Sequence, residues 1–322
     1  MKRMGGRRQA VWLAAGLALA ACLVYAVGIE NVLRSARLVG PGLLLLVGAA
    51  GLRHLLRATA WMKCLGGGPG LRELFHARLA GEAIRYVTPT GPFLSEPTKV
   101  ALLRRHLPPA RALSAAAAEW LTYALSAAVV ATGGLTLLLL GQGGGAWAVA
   151  AAVGAATAIT AAVKGEVSRP SHPLSRLAGA LGARTGRDWL LRRVEGVRRV
   201  EDGLYDFYGG RRGTLLAVLL LEAGAHLMNV VNVYLALHFL GLDPTWPAAF
   251  ISDAAPKVLN SVFFFVPGQA GVHEGGRALL LETLGWGMSA GVALALVERI
   301  VSAAWAGYGL VVLSLRARGA AC

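Results

Sequence analysis

Two 13-residue stretches decide the fold: VTPTGPFLSEPTK, from Val87 to Lys99, and FVPGQAGVHEGGR, from Phe265 to Arg277. In each, a proline is followed seven residues later by a glutamate, and three residues after that by a cation. The next full apolar segment carries another glutamate near its start. This agreement, at a nearly constant offset of 178 residues, predicts an internal repeat. The matched residues are Glu96, Lys99 and Glu119 in the first unit, and Glu274, Arg277 and Glu298 in the second.

The composition indicates that lipid surrounds much of the chain. Of the 322 residues, 56% are hydrophobic and 15% are charged, whereas soluble domains carry about 25% charged residues. The net charge of +15 is typical of nucleic-acid binding, but here most lysines and arginines lie in loops between apolar stretches, as membrane topology signals do. We therefore expect no nucleic-acid partner. The cysteines at 22, 64 and 322 have no redox or metal-binding spacing.

Six stretches are long and apolar enough to cross a bilayer, which takes about 20 residues per helix. They are 10–29, 40–62, 112–140, 146–163, 213–240 and 288–315. The first follows a basic start and is interpreted as a retained helix rather than a signal peptide. Two further regions, 73–107 and 247–285, are interrupted by proline, glycine and charge. Such interruptions are typical of helices that turn within the membrane.

The distribution of basic residues predicts the orientation. The stretch 164–212, with eleven lysines and arginines, and both termini are expected in the cytoplasm of a bacterial cell, with the chain in its inner membrane. The predicted fold is one all-α polytopic membrane domain over residues 1–322, with the two hairpins entering from opposite sides as an inverted-topology repeat. Its parts are a first repeat 40–140 with re-entrant hairpin 73–107, a connector 164–212, and a second repeat 213–315 with re-entrant hairpin 247–285.

The cytoplasmic connector contains a predicted amphipathic helix between residues 184 and 212. Apolar residues such as Val194, Val197 and Leu204 recur at helical spacing, while arginines fill the opposite face. Such a helix lies in the membrane interface with its apolar side towards lipid. Docking of a partner helix is the alternative.

Charged residues in the broken regions and the neighbouring spans are the candidate substrate-binding residues. One charge at the bilayer centre costs about 2.5–3.5 kcal/mol, so these side chains must be paired, hydrated or bound to a ligand. Glu96 with Lys99, and Glu274 with Arg277, can pair on one helix face. Such pairs either fasten the hairpins or exchange for a charged headgroup. The candidates are Glu82, Arg85, Glu96, Lys99, Glu119, Lys257, His273, Glu274, Arg277 and Glu298.

Three further polar positions have a specific interpretation. Arg85 is the strongest single candidate for a phosphate contact, because a guanidinium binds oxyanions through two parallel hydrogen bonds. Arg57 either guides an anionic headgroup inward or snorkels to the interface. Glu222 begins a polar stripe that either lines a cavity or bonds to a neighbouring helix.

Prolines and glycines mark the predicted hinges and hairpin tips: Pro89, Gly91, Pro267, Gly268, Gly271 and Gly275. Pro97 and Pro256 are interpreted as further helix breaks. Irregular backbone at membrane depth survives only where it is buried in protein or lines water. The two hairpins are therefore predicted to face each other across a polar cavity.

The sequence carries no complete catalytic motif. His273-Glu274 begins the H-E-x-x-H pattern of zinc proteases, but Arg277 stands where the second histidine belongs. The chain has no P-loop and no G-x-S-x-G sequence. We therefore expect neither enzymatic activity nor a cofactor or metal.

At Gly81-Glu82-x-x-Arg85, and more so from Phe263 to Gly276, the chain resembles the flippase-like integral membrane family named for the transmembrane region of lysylphosphatidylglycerol synthase. The second motif is most similar to members linked to hopanoid biosynthesis. The resemblance implies movement of lipids between leaflets, and it implies no lipid-modifying activity. Gln269-Ala270 and His273 depart from the family pattern. The matching motif positions are Glu82, Arg85, Pro267, Gly271, Glu274 and Gly275.

The leading hypothesis is a lipid translocator that passes a charged or zwitterionic headgroup through a polar cavity between the hairpins. One alternative is a membrane scaffold that docks a lipid-biosynthesis enzyme at the cytoplasmic face. Another is an ion- or proton-coupled carrier of a small polar solute. The expected partner is a membrane lipid with an anionic or zwitterionic headgroup, and association with a second copy of the chain stays open.

Overall fold

A computed structural model describes residues 29–88, 91–143, 145–147, 149–151, 154–155, 157, 165, 171–186, 188–262 and 271–318. In this part of the chain the regular secondary structure is helical. The helices are α1 (Ile29–Val39), α2 (Gly42–Leu65), α3 (Leu71–Val87), α4 (Gly91–Leu103), α5 (Pro109–Gly141), α6 (Pro173–Thr185), α7 (Asp188–Gly210), α8 (Arg212–Phe239), α9 (Trp246–Val262), α10 (Val272–Thr283) and α11 (Met288–Arg318).

Four of these helices, α2, α5, α8 and α11, are long and apolar enough to cross a membrane. They coincide with the predicted spans 40–62, 112–140, 213–240 and 288–315, and they confirm an all-helical polytopic membrane protein. The spans predicted at 10–29 and 146–163 lie, apart from a few isolated residues, outside the described residues.

Each interrupted region forms a pair of short helices between two long ones. The region 73–107 contains α3 and α4, and the region 247–285 contains α9 and α10. Helix α3 ends in an extended Thr88, with φ −123° and ψ 139°, because the proline that follows it disfavours the helical conformation. The interpretation of Pro97 and Pro256 as helix breaks is wrong: they lie inside α4 and α9. A neighbouring side chain can bond the carbonyl that such a proline frees, so the helix continues.

The two halves of the chain pack in matching ways. Helices α2 and α8 pack against each other at the centre. Helix α3 packs on α11 as α9 packs on α5, and α4 packs on α5 as α10 packs on α11. Each contact between these helices therefore has a counterpart when the units α2–α5 and α8–α11 are exchanged.

Two apolar cores hold this arrangement together. One surrounds Leu46, Leu237 and Leu294, and joins α2 to the second unit. The other surrounds Trp61 and Leu74, and joins the first unit to α7 and α8. Both cores lie between helices of different units, so burial of apolar surface links the halves.

The connector forms a helical pair, α6 and α7, of which α7 packs against α5 and α8. Phe207 is buried, and the Tyr208 hydroxyl lies 3.0 Å from the Thr122 hydroxyl of α5. The α6 N-terminus receives Glu201, whose carboxylate accepts hydrogen bonds from the backbone N–H groups of Leu174 and Ser175 at 2.7 and 3.2 Å. Part of the apolar side of α7 therefore covers protein.

The crossing of α3 and α11 depends on a glycine. A Cβ atom added at Gly309 would overlap the backbone oxygen of Leu79 and crowd the Ala83 side chain. Gly307, two residues earlier on the same helix, has no atom near the position of an added Cβ. The first hairpin thus packs directly against the backbone of the last long helix.

We expect Gly309→Ala to lower the free energy of unfolding in detergent by about 1–3 kcal/mol, the usual cost of overpacking. Gly307→Ala is the matched control and should leave it unchanged or slightly raised, since alanine favours helix. Equal stability of the two variants in equilibrium unfolding would contradict the close crossing of α3 and α11.

Candidate functional site

A buried carboxylate on α5 joins three helices of the first unit. Glu119 is 2% exposed, and its Oε1 atom accepts hydrogen bonds from Arg57 Nε of α2 at 2.9 Å and from Arg78 Nη1 of α3 at 3.0 Å. Arg57 Nη2 lies 2.8 Å from the same oxygen. Two guanidinium groups from different helices thus converge on one oxygen atom.

Two neighbouring residues complete this site, which we call the Glu119 cluster: Arg57, Arg78, Glu119, Tyr123 and Glu222. Tyr123 lies one helical turn after Glu119, and its ring centre is 3.5 Å from the Arg57 guanidinium carbon. Glu222 of α8 is fully buried, with Oε2 3.4 Å from Arg57 Nε. Neither carboxylate oxygen of Glu222 has a hydrogen-bond partner.

The Glu96–Lys99 pair lies beside the Glu119 cluster. Lys99 Nζ is 2.5 Å from Glu96 Oε1, and Lys99 is 5% exposed. Its aliphatic part lies against Gly81 of α3, where a Cβ atom would come within 2.7 Å of Lys99 Cγ. The glycine of the G-E-x-x-R motif therefore gives the α4 lysine room to lie against α3. Lys99 is close enough for its positive charge to attract the Glu119 carboxylate.

The second unit has its own buried pairing, the Glu298 cluster of His273, Arg277 and Glu298. Arg277 of α10 holds Glu298 of α11 through both carboxylate oxygens, with Nε donating to Oε2 at 3.0 Å. His273 Nε2 lies 3.0 Å from the same Oε2 atom. In both clusters, a carboxylate of a long helix pairs with an arginine of a preceding short helix, Arg78 of α3 or Arg277 of α10.

A proline explains one contact of Arg277. Pro256 has no backbone N–H to bond the carbonyl of Ser252, four residues earlier on α9. Arg277 Nη1 donates to that carbonyl oxygen instead. Arg277 is 3% exposed, so this bond and the two to Glu298 fix its orientation. The carbonyl that Pro256 frees on α9 thus accepts a hydrogen bond from the arginine of α10.

Glu274 and Arg277 have other partners than the ones predicted for them. Glu274 pairs with Arg299, and Arg277 pairs with Glu298. Both partners are on α11, because α10 lies against α11 and the charges of α11 are closer than those of α10 itself. The neighbouring pairs Glu96–Lys99 and Glu82–Arg85 are in contact.

The other predicted residues fall in different places. The Arg85 side chain is 55% exposed and pairs with Glu82 one turn earlier on α3. Lys257 Nζ lies 2.5 Å from Asp253 Oδ2, one turn earlier on α9. Of the predicted hinges, Pro89, Pro267 and Gly268 lie outside the described residues. Gly91 begins α4, and Gly275 lies in the first turn of α10. Gly271 precedes α10 with φ +80°, and its N–H donates to Glu274 Oε2 at 2.9 Å.

Sequence reasoning missed Arg78 and Asp253. Arg78, Glu82 and Arg85 are spaced i, i+4 and i+7, so they share one helix face; this signal was present in the sequence. Asp253 and Lys257 are likewise one turn apart. Among the described residues, no three histidine, cysteine, aspartate or glutamate side chains converge as metal ligands would.

Comparison with known proteins gives one family match. The family described as the lysylphosphatidylglycerol synthase TM region matches residues 11–308. No curated protein and no solved structure matches the chain. The matched range includes every residue of both clusters.

Removing Glu119 should destabilise the fold, because Arg57 and Arg78 would lose their shared acceptor while staying buried. We expect Glu119→Ala to lower the free energy of unfolding in detergent by about 3–5 kcal/mol. The control is Glu195→Ala on α7, where the pair with Arg199 is 3.4 Å long and largely exposed, and where the loss should be about 1 kcal/mol or less. A Glu119→Ala loss as small as that of the control would show that the cluster is hydrated and open.

Proposed function

Because the chain belongs to the lysylphosphatidylglycerol synthase TM region family, we propose that it moves a lipid with an anionic or zwitterionic headgroup between the leaflets of a bacterial inner membrane. The family match agrees with the resemblance in the G-E-x-x-R and F-V-P-G motifs. Four helices able to cross a membrane support a site inside the bilayer. The charged clusters between these helices supply the polar surface that a headgroup needs.

The Glu119 cluster carries this proposal. One carboxylate oxygen accepts hydrogen bonds from two guanidinium groups, an arrangement equally suited to a phosphate oxygen, since arginine binds carboxylate and phosphate with the same fork of donors. A lipid phosphate can therefore take the place of Glu119 Oε1. Glu119 acts as an internal stand-in that keeps the arginines paired while no headgroup is bound.

Arg85 offers a further contact for the headgroup, in the last turn of α3. Its guanidinium is largely exposed and paired with Glu82 on the same face of α3 as Arg78. A phosphate at Arg85 lies two turns of helix, about 10 Å, from the level of Arg78, towards the tip of the first hairpin. The acyl chains remain in the lipid while the headgroup moves along this face.

The Glu298 cluster supplies a second headgroup-binding site, in which an arginine also pairs with a glutamate of a long helix. The matched packing of the two units supports an inverted repeat, in which the hairpins α3–α4 and α9–α10 enter from opposite leaflets. In such a repeat, rocking one unit against the other exposes one cluster to one leaflet and the other cluster to the opposite leaflet. The Tyr86 hydroxyl of α3 donates to the Arg299 carbonyl oxygen at 3.4 Å and links the first hairpin to the second cluster's helix.

Lipid transfer should depend on Arg78. In proteoliposomes containing phosphatidylglycerol with a fluorescent acyl chain, a membrane-impermeant reductant bleaches only the outer leaflet, so the slow phase of bleaching reports transfer. We expect Arg78→Gln to slow this phase at least tenfold, which corresponds to about 1.4 kcal/mol. Arg78→Lys keeps the charge and should restore part of the rate.

Arg184→Gln on α6 is the matched control, since Arg184 is exposed. It should transfer lipid at the wild-type rate. Equal rates for wild type, Arg78→Gln and Arg184→Gln would refute the site. The site would also be refuted if all three proteins transferred lipid no faster than protein-free vesicles do.

A second candidate function is a scaffold that docks a lipid-biosynthesis enzyme. The exposed face of α7 favours it, because Arg192, Arg193, Arg198 and Arg199 lie there together and suit an acidic partner. A variant with all four changed to glutamine separates the two functions. If the protein is a translocator, this variant should transfer lipid in vesicles at the wild-type rate and keep its function in cells. If it is a scaffold, lipid transfer in vesicles should also be unchanged, but function in cells should be lost.

A further inference from the structure

Glu222 of α8 stands apart from the other buried acids of the protein. It is fully buried, and neither of its oxygens has a hydrogen-bond partner. Its nearest cation is Arg57, at 3.4 Å, which donates its hydrogen bond to Glu119 instead. Glu119, in contrast, receives two guanidinium groups. As an anion, Glu222 is the less stabilised of the two carboxylates.

The charged groups that face Glu222 are few. They are Arg57 from α2, Glu119 from α5 and Arg78 from α3. The buried Cys64 thiol of α2 also lies near Glu222 and Glu119. Other titratable side chains on helices packed against α8 are exposed or have partners elsewhere. These partners are Ser126 for His226 on α8 itself, Arg53 for His54 on α2, Thr122 for Tyr208 on α7, Lys257 for Asp253 on α9, and Arg277 with His273 for Glu298 on α11.

When both of its acids are ionised, the Glu119 cluster without lipid is electrically balanced. It contains two guanidinium cations and, when both acids are ionised, two carboxylates. A bound anionic headgroup adds a third negative charge. An unbalanced charge in a buried site is costly, so one of the acids must take up a proton for the headgroup to bind well.

We propose that Glu222 takes up this proton, so that binding of an anionic phosphate headgroup to Arg57 and Arg78 is linked to uptake of one proton from water. This inference rests on the proposed function and adds that lipid movement is coupled to protons. The proton converts one Glu222 oxygen to a hydroxyl, and the cluster regains zero net charge with the headgroup in place. Glu119, displaced from the arginines, is the nearest acceptor for the new O–H.

The linkage has a definite sign. A proton on Glu222 favours the bound anion, and by reciprocity the bound anion favours the proton. The affinity for an anionic headgroup should therefore rise as the pH falls through the range in which Glu222 titrates. A lipid carried in this way moves together with a proton.

Isothermal titration calorimetry of the full chain in detergent counts the protons directly. Short-chain phosphatidylglycerol is titrated at one pH in two buffers that differ in ionisation enthalpy, and the difference in heat gives the protons taken up per lipid. The series is repeated at several pH values. Wild type should take up as much as about one proton per lipid, and Glu222→Gln should take up none.

Two variants act as controls. Glu222→Asp keeps a titratable carboxyl group and should retain proton uptake, which also guards against misfolding of the glutamine variant. Glu282→Gln changes an exposed acid on α10 and should behave as wild type. Glycerophosphoglycerol, which has the phosphodiester headgroup of phosphatidylglycerol without its acyl chains, should bind more weakly than the lipid.

The outcomes separate the two proposals. Lipid binding without proton uptake in wild type, or equal uptake in wild type and Glu222→Gln, would overturn the role of Glu222 and leave the translocator intact. No heat of binding for the lipid would overturn the translocator itself. Equal affinity for glycerophosphoglycerol and the lipid would make a soluble phosphodiester the ligand.

Discussion

The arrangement of the first unit depends on one interaction, the convergence of Arg57 and Arg78 on a single oxygen of Glu119. A lone charge in the bilayer centre costs about 2.5–3.5 kcal/mol even by lenient measures, so none of the three is tolerable there without the others. Because each side chain comes from a different helix, pairing them fixes α2, α3 and α5 relative to one another. The same contact that stabilises the first unit also presents two guanidinium groups in an arrangement suited to an oxyanion.

The second unit meets the same constraint with different residues. Arg277 takes the role that Arg78 has in the first unit, and the carbonyl freed by Pro256 gives Arg277 a third hydrogen bond. Helix backbones approach closely where α11 carries Gly309, so the hairpin of one unit lies directly on the long helix of the other. A shift of either unit therefore changes contacts in both, as the alternating exposure proposed for this protein requires.

The sequence was sufficient for the features set by local pattern. Four spans could be placed because about 20 consecutive apolar residues have few other solutions in a membrane protein, and the charged residues of both clusters were found except Arg78. The ion-pair partners of these charged residues could not be predicted from local spacing. Neighbours such as Glu274 and Arg277 are close on their own helix, yet the packing of α10 on α11 gives each a better partner. Pro256 likewise breaks no helix, because Arg277 donates a hydrogen bond to the Ser252 carbonyl that Pro256 leaves without a backbone partner.

The most direct test of the central claim is a cryo-electron microscopy map of the protein in nanodiscs made with phosphatidylglycerol. Lipid transfer through the Glu119 cluster predicts a class of particles with phosphate density within hydrogen-bonding distance of Arg57 and Arg78, and with the Glu119 carboxylate moved away. Maps in which Glu119 stays bound to both arginines in every class, with lipid phosphates only at the bilayer surface, would contradict it.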